Sequence, residues 1–151
     1  MNPAVVTWLV LVLRIAIGGI FVVAGASKVG QAAAFAAQIA GFRLLPEPLI
    51  APLAVMLPYW EIVLGGLLIL GLFTRIAAWV GVVLFATFDL AIASAVVRGM
   101  TVSCGCFGPN DATVTTWAEV ARDAVFVALA LIVAVRPPGA LALDRRIGNE
   151  S

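Results

Sequence analysis

The chain has 151 residues, 64% of them hydrophobic and 11% charged, with a formal net charge of +1 and no histidine, and its mean hydropathy is +1.16. Soluble domains use about 45–50% apolar and about 25% charged residues, so this is the composition of an integral membrane protein. A nucleic-acid binder is excluded by the lack of a basic patch, and two cysteines without histidine do not fill the four-ligand shell of a structural zinc site.

Crossing about 30 Å of hydrocarbon takes roughly 20 helical residues. Apolar stretches of that length run from Ala4 to Gly25, Pro52 to Phe73, Ile76 to Val97 and Thr116 to Val135. They predict an all-α membrane protein, a four-transmembrane-helix bundle over residues 1–136. The first stretch ends at Ala24-Gly25-Ala26, which is similar to a signal cleavage site. No basic segment precedes it and Arg14 interrupts its apolar run, so it reads as a retained helix. Gln31 to Leu45 mixes Ala, Phe, Ile and Leu with Gln38 and Arg43 and then meets Pro46-Glu47-Pro48. Too short and too polar to span, it reads as an interfacial or re-entrant segment between spans one and two. Spans two and three are separated only by a turn around Thr74-Arg75 and form an antiparallel hairpin. Residues 137–151, opening with Pro137-Pro138-Gly139, are expected to be an exposed, flexible tail.

Four spans place both termini on one side, with Arg75, Arg136, Arg145 and Arg146, against Lys28, Arg43 and Arg98 on the other. This cation bias favours cytoplasmic termini by a small margin. In a cytoplasmic (inner) membrane the turn before the last span then faces outward, where disulfides persist. That turn, Ser103-Cys104-Gly105-Cys106-Phe107-Gly108-Pro109, holds both cysteines of the chain. Two thiols separated by one glycine can close a very small disulfide ring, and Gly105 tolerates the backbone angles that closure requires. Strained or exposed disulfides are oxidising and exchange readily. Cys104 and Cys106 are therefore the candidate catalytic residues of thiol–disulfide exchange. Arg98 and the N-terminus of span four are placed to favour a thiolate at Cys106, although spacing alone does not identify the nucleophile.

Arg14, Glu61, Asp89, Arg122 and Asp123 fall within the predicted spans. An ionisable residue in hydrocarbon normally faces the bundle interior and has a partner. At 1.5 Å per residue, Arg14 is expected near mid-membrane, Glu61 and Asp89 about 12–14 Å below the outer face, and Arg122-Asp123 within about two turns of the start of span four. The expectation is a polar network beneath the Cys turn, in which Arg14 pairs first with Asp89 or Glu61. Two readings stay open. The charges either join helices through hydrogen bonds, or form a proton path or a head-group pocket for a membrane quinone, with Arg14, Glu61, Asp89 and Arg122 as the cofactor-binding residues. Trp8, Trp60, Trp79 and Trp117 lie near span ends, as interfacial anchors do, and Trp60 and Trp117 are also placed to wall a site at the outer face.

Arg14, Gly18-Gly19, Phe21, Ala24-Gly25 and Lys28 resemble the first-span pattern of the DoxX-like membrane proteins, and Pro58-Tyr59-Trp60-Glu61, Gly65-Gly66, Gly71 and Thr74-Arg75 resemble the second. The Cys104-Gly105-Cys106-Phe107-Gly108 turn narrows the resemblance to the MauE branch, associated with methylamine utilisation, over about Leu11 to Val135. The resemblance implies a four-helix membrane bundle in redox processing outside the cytoplasmic membrane. In the methylamine case it implies maturation of a disulfide-rich dehydrogenase subunit alongside a thioredoxin-like partner. Two other functions compete with this reading: a scaffold or maturation factor in which the cysteines are a static clip, and a small-solute transporter subunit. Four spans and a single proline-interrupted helix are few for the latter.

Overall fold

The structure, a computed structural model, describes residues 2–103, 113–136 and 139–143. Among these, five α-helices follow in order: α1 (Pro3–Lys28), α2 (Ala32–Gly41), α3 (Glu47–Leu70), α4 (Thr74–Val97) and α5 (Trp117–Val135). The all-α expectation holds. Three of the helices, α1, α3 and α4, are long and apolar enough to cross a membrane. The last, α5, carries Glu119, Arg122 and Asp123 in its first two turns and is apolar from Ala124 onward.

The helix ends follow local chemistry. Asn2 Oδ1 accepts from the Ala4 N–H (3.1 Å), and Thr116 Oγ1 accepts from the Ala118 N–H (3.2 Å), so each caps a helix whose first donors lack a partner of their own. Pro48 sits in the first turn of α3, where a missing N–H leaves no helical bond unmade. The Pro46-Glu47-Pro48 run therefore opens α3 five residues before the expected Pro52, and the preceding segment is a separate ten-residue helix, α2. The connection between α3 and α4 lies at Gly71–Phe73, just ahead of the expected Thr74-Arg75. Gly71 adopts φ +71°, and the N–H groups of Gly71 and Leu72 both bond the Leu67 carbonyl, at 2.9 and 3.0 Å. That left-handed closure is what glycine permits without steric cost.

Helix α1 packs chiefly on α3 and α4 on α5, while α1–α5 and α3–α4 contacts close the ring of four. The consecutive helices α3 and α4 are thus neighbours but not each other's main partners. The α1–α3 seam is made of glycine. A Cβ on Gly18 would stand 2.8 Å from the Gly65 carbonyl oxygen, one on Gly65 2.5 Å from that of Gly18, and one on Gly25 2.5 Å from that of Pro58. Lipid tails are as apolar as leucine, so helices in a bilayer associate through such close backbone approach rather than through a hydrophobic drive. Inside the ring, Phe21 stacks on Phe85 (centroids 4.4 Å apart), and Phe85 meets Phe126 at 5.6 Å. Ile17, Leu64, Leu68, Ala77 and Val133 fill the space around them. The outside is as apolar as the inside: Ile76 is 66% exposed, Leu90 71% and Val97 73%. Trp8, Trp60, Trp79 and Trp117 all face outward too.

The helices are staggered. Gly18 lies opposite Gly65, and Arg14 opposite Gly71, so α3 ends level with the middle of α1. The first turns of α1 are covered instead by the tail: the Ala140 N–H bonds the Thr7 carbonyl (3.2 Å), a Cβ on Gly139 would meet the Leu11 N at 2.6 Å, and Ala142 is buried. Expected to be exposed, residues 139–143 are docked on α1.

Gly65→Leu is expected to destabilise the bundle by about 1–3 kcal/mol or more, because it forces α1 and α3 apart. Gly19→Ala and Gly66→Ala, at glycines with nothing within 4 Å of a Cβ, are expected to be neutral or slightly stabilising. Thermal unfolding of the purified variants in one detergent checks the contrast.

Candidate functional site

In the chain, the cysteine-bearing segment falls between α4 and α5. Cys104 and Cys106 lie outside the described residues, but both flanks of their segment are described. Ser103 and Val114 form an isolated antiparallel bridge, the Thr115 N–H bonds the Val102 carbonyl at 2.9 Å, and Thr115 Oγ1 donates to the Met100 carbonyl at 3.2 Å. The two flanks are thereby joined at the base. Helix α2 braces this base, since Gln38 Nε2 donates to Ser103 Oγ (3.4 Å) and Arg98 Nη2 donates to the Phe42 carbonyl (2.7 Å).

Beneath α2 lies a buried ion pair. Lys28, the last residue of α1, donates to Glu61 of α3 at 2.9 and 3.1 Å, and the two side chains are 2% and 3% exposed. Glycine at position 25 makes the contact possible. A Cβ there would stand 3.1 Å from the Glu61 Cβ, so any larger residue would push α3 away. The ammonium also lies 5.4 Å from the ring centre of Phe35 on α2 and 6.0 Å from that of Phe88 on α4, with their negative faces as further company. Its place at the C-terminus of α1 adds the favourable end of the helix dipole. Glu61 stands about 21 Å along α3 from Glu47 and about 14 Å from Leu70 at 1.5 Å per residue, so the pair sits deep within the helix ring.

A second set of charges occupies α4 and α5. Asp89 follows Phe88, and one of its carboxylate oxygens is buried without a hydrogen-bond partner among the described residues. Asp89 lies within electrostatic reach of Asp123. Arg122 holds Asp123 at 2.9 Å (Nε to Oδ1) and reaches Glu119 at 3.8 Å. Glu61, Asp89, Arg122 and Asp123 therefore do gather in the half of the bundle that carries the Cys turn.

Arg14 does not join them. It is 1% exposed, but its guanidinium lies at the opposite end, where a Cβ on Gly71 would stand 2.6 Å from Nη1. The expected pairing of Arg14 with Glu61 or Asp89 is replaced by Lys28–Glu61. Lys28 was missed because the first span was ended at Gly25, which turned a buried cation into a loop cation. One signal was present: Glu61, deep in an apolar stretch, needs a cation, and Lys28 lies one helical turn beyond Gly25.

The family model of the methylamine utilisation protein MauE matches residues 6–136. The chain is 36% identical over 129 residues to the methylamine utilization protein MauE of Paracoccus versutus, covering 85% of this chain and 69% of that one. It is 33% identical over 130 residues to the MauE of Paracoccus denitrificans, with 85% and 70% covered. To the MauE of Methylophilus methylotrophus it is 34% identical over 105 residues, 68% of this chain and 55% of that one. No solved structure matches. The chain belongs to the MauE family.

Lys28→Met and Glu61→Gln are each expected to destabilise the protein by about 3–5 kcal/mol, since each leaves a buried charge alone. Lys28→Met combined with Glu61→Gln is expected to recover most of that loss. Thermal unfolding of the three variants distinguishes a true pair, whose effects are strongly non-additive, from two independent side chains.

Proposed function

We propose that this MauE family member is a membrane thiol–disulfide redox protein, in which Cys104 and Cys106 exchange electrons with an extracytoplasmic protein of thioredoxin-like or disulfide-bearing type. One observation carries the reading. The chain's two thiols sit in a segment whose flanks are tied at Ser103–Val114 and braced by α2, at the same end of the bundle as its buried carboxylates. The relatives are named for methylamine utilisation, which supports a client in that process.

In this reading α5 is the fourth span, both termini face the cytoplasm, and the Cys turn faces outward from the inner membrane. The exchange balances simply. One cysteine thiolate attacks a partner disulfide, releasing one partner thiol. The second cysteine then attacks the mixed disulfide and releases the other thiol, so the pair is oxidised by two electrons as the partner is reduced by two. Run in reverse, the same steps oxidise the partner. Two protons accompany the electrons, and Glu61, Asp89 and Asp123 below the turn supply carboxylates to carry them.

Thiol trapping tests the reading. In intact cells, a membrane-impermeant maleimide is expected to label Cys104 and Cys106 after reduction and not before. Of the single variants Cys104→Ser and Cys106→Ser, the one that keeps the attacking cysteine and lacks the resolving one is expected to accumulate a mixed disulfide with the partner. Client maturation that survives replacement of both cysteines would make the protein a scaffold instead. Thiols that label only after the membrane is opened would reverse the topology.

A further inference from the structure

The chain leaves α4 towards the cysteines along a path set by local bonds. Gly99 closes the helix in the left-handed region (φ +68°), with its N–H on the Val96 carbonyl (3.0 Å) and the Met100 N–H on the Ala95 carbonyl (2.9 Å). These are the two bonds of a glycine-ended helix. Thr115 then holds the stretch that follows, through the Val102 and Met100 carbonyls. The one antiparallel bridge, Ser103–Val114, adds little by itself, since isolated two-stranded pairings are marginal at best. What stabilises this base is the helix it rests on, α2.

Arg98 joins the two helices. It is the cap residue of α4, and its guanidinium serves two helix ends at once. Nε donates to the Ser94 carbonyl in the last turn of α4 (3.1 Å), and Nη2 donates to the carbonyl of Phe42, the cap residue of α2 (2.7 Å). Both carbonyls stand at the negative end of a helix dipole, where a cation is favoured and its hydrogen bonds are strong. One turn back along α2, Gln38 Nε2 donates to Ser103 Oγ (3.4 Å). Between these two points Val102 lies over Gly41, where a Cβ would stand 3.5 Å from Val102 Cγ1. Buried Phe35 anchors the other side of α2 at the Lys28 ammonium. Arg98, expected to act as a charge beside the thiols, thus commits two of its donors to carbonyls that tie α2 to the end of α4.

We propose that Arg98 and Gln38 are positioning residues for thiol exchange: together they fasten α2 across the base of the cysteine-bearing segment, and the fastened base favours the Cys104–Cys106 disulfide over the dithiol. The proposal rests on the thiol-exchange reading. Its physical link is entropy. Ring closure removes freedom from the open dithiol, and a segment held at its base has less of that freedom to lose. Releasing either contact therefore favours the dithiol, by about threefold to tenfold for the loss of one hydrogen bond. Because the two contacts act in series through α2, the second release adds little to the first.

The experiment is a redox titration of the full-length protein in lipid nanodiscs against glutathione, read as the mass added by maleimide after an acid quench. The reaction is protein disulfide plus two glutathione thiols giving protein dithiol plus glutathione disulfide, a two-electron exchange. Its equilibrium constant is expected to rise about threefold to tenfold in Arg98→Met and in Gln38→Leu, and in the double variant by clearly less than the product of the two. Arg43→Met removes an exposed cation one residue beyond Phe42 and is expected to leave the constant unchanged. Gln38→Leu against Arg43→Met stays decisive if Arg98→Met fails to fold. A silent Gln38→Leu overturns the proposal, because Arg98 then acts by charge or not at all. Arg43→Met matching Arg98→Met makes the effect one of surface charge and overturns it too, as do shifts that simply multiply. A wild-type pair that never equilibrates with glutathione removes the thiol-exchange reading and this proposal with it, whereas a wild-type pair that equilibrates and is matched by both variants removes this proposal alone.

Discussion

An ammonium and a carboxylate buried side by side in a hydrocarbon-facing bundle form the constraint around which the rest of the structure is arranged. Removing two such ions from water costs several kcal/mol each, and their mutual attraction offsets this only where geometry is good and further partners are at hand. The surroundings of Lys28 and Glu61 meet that requirement. Gly25 lets α3 approach, two hydrogen bonds of 2.9 and 3.1 Å join the charges, and Phe35 and Phe88 turn ring faces towards the cation. Helix α2 has its place by the same logic. It is too short to span, and its buried Phe35 closes the pair from above.

That arrangement links the buried charges to the Cys turn through a single short helix. One face of α2 touches Lys28 through Phe35, and one turn later Gln38 reaches Ser103, the residue before Cys104. The ion pair and Ser103, the last described residue before the cysteines, thus bear on the same ten-residue element. The docked tail and the Gly71 turn fix the other end of the bundle, where Arg14 is held away from the Lys28–Glu61 pair.

Much of this was legible in the residues. Apolar runs of twenty residues announce α1, α3 and α4 because hydrocarbon thickness sets the length directly, and the turn between α3 and α4 was expected at Thr74-Arg75, a few residues past the left-handed Gly71 that closes α3. Two things were not legible, for one physical reason. Depth counted along each helix by itself assumes that all spans begin level, whereas α1 and α3 are offset by roughly half a helix at the Gly18–Gly65 crossing. The offset carries Arg14 to the bundle's end and draws Lys28 into its middle. It is set by where small residues let two backbones meet, a tertiary match that neither helix displays alone. The start of α3 was misplaced by a local rule: Pro46-Glu47-Pro48 stops a helix as readily as it starts one, and the packing of α2 on α3 decides between them.

The most direct test of the central claim is a distance measured in a bilayer. With Lys28 labelled by nitrogen-15 at Nζ and Glu61 by carbon-13 at its carboxyl carbon, solid-state dipolar recoupling reports their separation in lipid. The contacts of 2.9 and 3.1 Å predict a strong coupling, abolished when Glu61 is replaced by Gln lacking the label. Absence of coupling in the labelled wild type would mean that Lys28 leaves the bundle for the membrane surface, and the offset of α1 against α3 and the role of α2 would both have to be redrawn.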